Sequence, residues 1–190
     1  MFSAVLVSLA AGCVEPDTGD EAFDDESSID SELRINARVE IKSTINTAGA
    51  GLCLDIANGN TTIGTPIVQF PCHRGRNQQW QIVNGSLNDF QIVSMLDPTR
   101  CVGFTGNAVD HQLLRLAACI DANLVKPLAT RFRLDSSDLL QDVSTTAFRS
   151  VVTPGTKCID VASGSNIHSL WMQLYQCHNG PNQKWKLTNW

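Results

Sequence analysis

Two tracts of this chain are copies of one another. Cys53-Leu54-Asp55-Ile56 precedes Gln78-Gln79-Trp80, and Cys158-Ile159-Asp160-Val161 precedes Gln183-Lys184-Trp185, with the same 27 residues from cysteine to tryptophan in both. A weaker copy lies between them in phase, with Cys101-Val102-Gly103-Phe104 in the first position and Thr130-Arg131-Phe132 in the second. It is four residues longer, and the stretch from Ile120 to Leu128 absorbs the surplus. The closing aromatics fall at 80, 132 and 185, so each unit has about 50 residues and no helical period. Units of this kind bury a core only together, which predicts a closed threefold all-β domain.

At 190 residues, the chain is long enough for one domain with a substantial core plus a tail. Its net charge of −5 is unevenly placed: residues 15–32 carry nine of the 19 acids and no Lys or Arg. All 14 basic residues lie from Arg34 onward against ten acids, so the low isoelectric point belongs mainly to the tail. Residues 14–33 are therefore expected to be a disordered acidic linker, extended by self-repulsion, with the domain at 34–190. The basic residues form no stripe and no aromatic RNA-binding motif accompanies them, so nucleic acid is not expected as a partner.

Six of the seven cysteines fall two to a repeat: Cys53 and Cys72, Cys101 and Cys119, Cys158 and Cys177, at separations of 19, 18 and 19. Six cysteines allow fifteen pairings, and threefold repetition favours closure within each repeat. Each loop then stabilises by about 3 kcal/mol on the chain-entropy account, in an exported protein. No metal is expected, because no Cys-x-x-Cys occurs and His73, His111, His168 and His178 form no ligand-spaced set.

Met1 to Gly12 is uncharged and mostly apolar, too short to span a bilayer, and reads as part of an export signal at residues 1–13. Leu9-Ala10-Ala11-Gly12-Cys13, followed by an acidic spacer, resembles a bacterial lipoprotein signal. The resemblance implies lipidation at Cys13, which would be the protein's one contact with a membrane in the cell envelope. The alternative is an ordinary cleaved signal and a secreted product, with Cys13 incidental.

The tract from Cys53 through Gly64-Thr65-Pro66-Ile67-Val68-Gln69-Phe70-Pro71-Cys72-His73 to Asn77-Gln78-Gln79-Trp80 resembles a repeat of the ricin B-chain type (R-type) lectin domain. The tract from Cys158 through Met172-Gln173-Leu174-Tyr175-Gln176-Cys177-His178 to Asn182-Gln183-Lys184-Trp185 resembles another. The family implies a β-trefoil in which each repeat gives two strands to a six-stranded barrel and two to a cap hairpin. It also implies that Asp160, Gln173, Tyr175 and Asn182 in the third repeat, and Asp55, Phe70 and Asn77 in the first, bind carbohydrate.

The chemistry of those side chains agrees. A neutral sugar offers vicinal hydroxyls and one apolar face, so a shallow site needs a fixed acceptor, an amide and a flat aromatic. Gln78 and Gln183 are expected to hydrogen-bond inward and orient these groups, while Trp80, Phe132 and Trp185 serve as core wedges. The third repeat has the fuller set, because Val68 stands in the first where the third has Gln173, and is expected to be the stronger site. In the middle repeat Gly103 replaces the acid, Ala117 the aromatic and Ala129 the amide, so no sugar site is expected there.

No nucleophile elbow, phosphate loop, zinc-protease motif or dinucleotide fingerprint occurs, and the two repeated acids belong to separate units. The expectation is a non-enzymatic glycan-binding protein with no cofactor, for galactose- or xylose-type sugars, and any enzyme partner is a separate polypeptide. The alternatives are a trefoil that binds or inhibits a protein and, more remotely, a glycan hydrolase.

Overall fold

The computed structural model describes residues 36–45, 48–84, 89–134, 145–152 and 156–190. The predicted signal segment with Cys13 and the acidic linker lie outside the described residues.

Among the described residues, fourteen strands run through the three repeats. The first repeat contains β1 (Arg38–Ser43), β2 (Leu52–Ile56), β3 (Ile67–Pro71) and β4 (Trp80–Asn84). The second contains β5 (Phe90–Ser94), β6 (Arg100–Gly103), the split strand β7 (Gln112–Leu113) and β8 (Arg115–Ala118), and β9 (Phe132–Leu134). The third contains β10 (Phe148–Ser150), β11 (Lys157–Asp160), the split strand β12 (Leu170–Trp171) and β13 (Gln173–Gln176), and β14 (Trp185–Asn189).

Alternation decides the faces of the barrel strands. Along β4, Trp80 and Ile82 point into the core while Gln81 and Val83 are only half-buried, the period-2 pattern of a strand with one dry face. Antiparallel pairing runs β14–β1–β4–β5–β9–β10, and a bridge between Thr146 and Trp185 closes the ring. The six-stranded barrel therefore has no open edge. Trp80, Phe132 and Trp185 are fully buried, one per repeat. The two indoles donate to the carbonyls of Leu54 at 3.0 Å and Ile159 at 3.3 Å, so their polar atoms are satisfied as their rings fill the core.

Three hairpins, β2–β3, β6–β8 and β11–β13, cap the barrel. Each meets it at a cysteine: Cys53 opposite Lys42, Cys101 opposite Val93 and Cys158 opposite Arg149. The disulfides Cys53–Cys72, Cys101–Cys119 and Cys158–Cys177 close within repeats, as the spacing predicts. On the threefold axis the backbone forms a ring of three hydrogen bonds, Ile67 N–H to Leu114, Leu114 N–H to Met172 and Met172 N–H to Ile67. Just before this ring each chain segment leans on the next repeat: Pro66 bridges Arg115, β7 pairs with β13, and β12 pairs with β3. Each cap hairpin thus has a neighbour from another repeat beside it.

The surplus of the middle repeat forms a turn in which Asp121 accepts from the N–H groups of Asn123 and Val125. Ile120, Leu124, Val125 and Leu128 are exposed on it.

Candidate functional site

Asp55, the last residue but one of β2, is buried, 3% exposed. Its Oδ2 accepts from Asn77 Nδ2 at 2.9 Å and Gln78 Nε2 at 2.8 Å, and His73 Nε2 stands 3.5 Å away. Gln78 is fully buried; its Nε2 also donates to the Pro71 carbonyl at 2.9 Å, and its Oε1 accepts from the His73 N–H at 2.8 Å. Gln78 therefore joins the carboxylate to the loop after β3 and touches no solvent. Its amide thereby holds the Asp55 carboxylate in place. Burial raises the Asp55 carboxyl above its ordinary value of 3.8, and the bonds from Gln78 and Asn77, with His73, partly offset that rise.

The loop that brings Asn77 to Asp55 is made possible by a glycine. A Cβ on Gly75 would lie 2.5 Å from the His73 ring and 2.6 Å from Asn77 Oδ1, and the Gly75 N–H donates to His73 Nδ1 at 3.1 Å. The same holds in the third repeat, where a Cβ on Gly180 would lie 2.6 Å from His178 and 2.7 Å from Asn182. His73 and His178 therefore stand beside the two carboxylates of the candidate sites, a placement that sequence reasoning missed. Its signal was the shared spacing His-x-Gly-x-Asn in both copies.

Above Asp55 opens a cleft of ≈ 330 Å³ lined by Asp55, Val68, Phe70, His73 and Asn77 from the first repeat and by Ser169 and Trp171 from the third. Phe70 is 37% exposed, and His73 packs against it edge-on, with ring centroids 6.0 Å apart. Trp171 is the second residue that the sequence did not assign. Its register opposite Val68 depends on the pairing of β12 with β3 across repeats, which no local motif encodes.

The third repeat brings its predicted residues together as well. Asp160, 1% exposed, accepts on Oδ2 from Asn182 at 2.7 Å and Gln183 at 3.0 Å, with His178 Nε2 3.7 Å away. Gln183 copies Gln78, donating to the Gln176 carbonyl at 2.9 Å and accepting from the His178 N–H at 2.9 Å. The difference is at Oδ1: Gln173 donates to Asp160 Oδ1 at 2.9 Å, and its Oε1 lies 3.1 Å from His111 Nδ1. Gln173 is thus held among protein groups, whereas Val68 leaves Asp55 Oδ1 without a partner among the described residues. Burial again raises the Asp160 carboxyl, offset first by Gln173 and then by Gln183. Tyr175 is half-buried between the rings of His111 and His178, at 5.2 and 6.2 Å.

The middle repeat has filled the corresponding space. A Cβ on Gly103 would meet Ala117 Cβ and Thr130 Cγ2 at 3.0 Å and the Ala129 carbonyl at 3.2 Å. Thr130 accepts from Gln91 Nε2 at 2.8 Å where the other repeats use Gln78 and Gln183.

Residues 36–116 match a family model described as a Ricin-type beta-trefoil lectin domain-like family. Among solved structures, the designed threefold symmetric protein ThreeFoil is similar at a TM-score of 0.68 and 19% identity, covering 80% of this chain and 99% of its own. The ricin B-like lectin of Macrolepiota procera in complex with lactose is similar at 0.61 and 18% identity, covering 82% of this chain and 96% of its own. The earthworm R-type lectin C-half in complex with GalNAc is similar at 0.59 and 17% identity, covering 81% and 99%. At these identities the likeness is one of fold, and the fold is a β-trefoil. A search of curated proteins finds no match.

Proposed function

We propose that this chain is a non-catalytic glycan-binding protein with sugar sites in its first and third repeats. The observation that carries the reading is the first-repeat cleft: a buried carboxylate held on one oxygen by Asn77 and Gln78, open on the other, beside an exposed phenyl ring. A pyranose meets all three groups at once. Its hydroxyls donate to Asp55, one hydroxyl exchanges with Asn77, and its C–H face stacks on Phe70. In the third repeat Asp160, Asn182 and Tyr175 take the same roles.

We rank the first site ahead of the third, the reverse of the order that the residue inventory favours. Gln173 already satisfies Asp160 Oδ1, so a sugar entering there must share or displace that amide. Lactose and GalNAc, bound in the fungal and earthworm structures, make galactose-type sugars the first ligands to test, with xylose-type sugars next. The middle repeat supplies scaffold alone, and no step of catalysis is assigned to the chain.

One observation favours a protein-docking trefoil instead: the exposed Ile120, Leu124, Val125 and Leu128 on the middle-repeat turn. A glycan array decides between the two readings. The full chain should bind a restricted set of glycans and the Asp55→Ala/Asp160→Ala double variant none. Equal binding by parent and double variant, or none by the parent, sinks the sugar reading. Export and lipid attachment at Cys13 complete the proposal. They predict a mature N-terminus at a lipidated Cys13 by mass spectrometry, and an unmodified N-terminus at another residue contradicts them.

A further inference from the structure

We infer that the first-repeat site is a composite of two repeats built for a glycan of at least two rings, with Trp171 as its second platform and Gln69 as the residue that positions it. The inference rests on the sugar-binding reading above and specifies its ligand class.

Gln69 breaks the threefold symmetry of the cap. It stands opposite Leu54, whereas the matching positions, opposite Val102 and Ile159, hold Leu116 and Leu174. All three side chains are fully buried. A buried amide is costly unless its groups are bonded, and Gln69 Oε1 has no partner among the described residues. Its Nε2, however, donates to two carbonyls of the third repeat, Ser165 at 2.7 Å and Ile167 at 2.8 Å, while its backbone carbonyl accepts from the Ser169 N–H at 2.8 Å. What this glutamine contributes beyond a leucine is a grip on residues 165–167 of the third repeat.

That grip leads directly into β12, which sets Leu170 opposite Gln69 and Trp171 opposite Val68. The equivalent place beside Gln173 holds Leu113. Trp171 is itself fixed: its indole N–H donates to the Leu114 carbonyl, and the Arg115 guanidinium lies 5.6 Å from its ring centroid. A pre-oriented aromatic loses little freedom on binding, which is where stacking platforms gain. A pyranose whose hydroxyls reach Asp55 has one apolar face to give, and Phe70 takes it. The second aromatic in the same cleft serves a second ring.

The test titrates the full chain in an Asp160→Asn background, the parent for every variant below, so that only the first site is read, with two pairs of probes, galactose with lactose and xylose with xylotriose, by calorimetry and tryptophan fluorescence. For the pair that binds, the oligosaccharide should bind about 2- to 12-fold more tightly than its monosaccharide, the range expected of one aromatic contact. Trp171→Leu, which installs the residue found beside the third site, should abolish that increment, so that oligosaccharide and monosaccharide bind with equal affinity. Gln69→Leu should do the same with the indole still present. Trp80 and Trp185 are fully buried, so in a Trp190→Phe background an emission change on adding oligosaccharide, absent with monosaccharide, reports Trp171. If Trp171→Leu fails to fold, Gln69→Leu and the emission change decide. Equal affinity for both members of the pair, or an unchanged increment in the variants, overturns the composite site while Asp55→Ala still abolishes binding. Absence of binding by all four probes, or Asp55→Ala binding like the parent, overturns the sugar reading and this inference with it.

Discussion

Replacing Asp55 with asparagine separates what the carboxylate does for the ligand from what it does for the fold. An asparagine Oδ1 can still accept from Asn77 and Gln78, which both bond a single oxygen of Asp55, so the inward half of the network survives. The half facing the cleft changes from an anionic acceptor to an amide donor. A hydrogen bond to a charged group contributes about 1.5–3 kcal/mol, so affinity for a monosaccharide should fall about 10- to 150-fold. From a dissociation constant near 1 mM, about −4 kcal/mol, that carries the first site beyond calorimetric reach. Stability should move the other way or not at all. Because burial raises the Asp55 carboxyl above 3.8 in the folded chain, its ionised form is penalised at neutral pH, and asparagine removes the penalty. The sign is opposite to that of a salt-bridged aspartate: the penalty is full above the raised folded value and fades as pH falls through it, so any advantage of the variant shrinks on acidification. Sugar binding in the parent should likewise weaken on acidification at a higher pH than an unperturbed aspartate would give. Calorimetry in an Asp160→Asn background, with urea denaturation at pH 7, measures both halves. Binding within threefold of the parent, or a stability loss above about 2 kcal/mol, would refute the reasoning.

Trp80→Ala should cost about 3–5 kcal/mol in urea denaturation, since it empties a core wedge and orphans the Leu54 carbonyl; a loss below about 1 kcal/mol contradicts its role. Cys101→Ser/Cys119→Ser should lose about 3 kcal/mol, read as a melting point about 6–12 °C lower, with sugar affinity unchanged because the proposed sites lie in the other two repeats; altered affinity contradicts that. Gly103→Asp should create no third site and should destabilise by about 1–3 kcal/mol, because its Cβ enters space held by Ala117, Thr130 and the Ala129 carbonyl; new binding stoichiometry by calorimetry contradicts it.

The repeat made the architecture legible. Equal spacing from Cys53 to Trp80 and from Cys158 to Trp185 predicted a closed threefold β domain, the paired cysteines and the inward-facing aromatics, because a threefold core needs one wedge and one closure per unit, and the resemblance to R-type lectins implied the trefoil. The set Asp55, Asn77 and Gln78 was legible for the same reason: it is copied as Asp160, Asn182 and Gln183. What sequence reasoning missed arises where symmetry fails or where contacts cross repeats. His73 is placed by the close approach of Gly75, which depends on how one loop folds. Trp171 stands thirteen residues after Cys158 of its own repeat yet lines the cleft of another, through strand pairing. The inventory also counted Gln173 as a gain for the third site, whereas its amide occupies the very oxygen that Val68 leaves open in the first.

The most direct test of the account is a crystal structure of the chain with the tightest-binding oligosaccharide of the probe series. The account predicts sugar hydroxyls within hydrogen-bond distance, about 2.6–3.2 Å, of Asp55 Oδ1 and Asn77, one ring on Phe70 and the next over Trp171. A glycan seated on the middle repeat, or one on the first repeat that leaves the Asp55 carboxylate untouched, contradicts it.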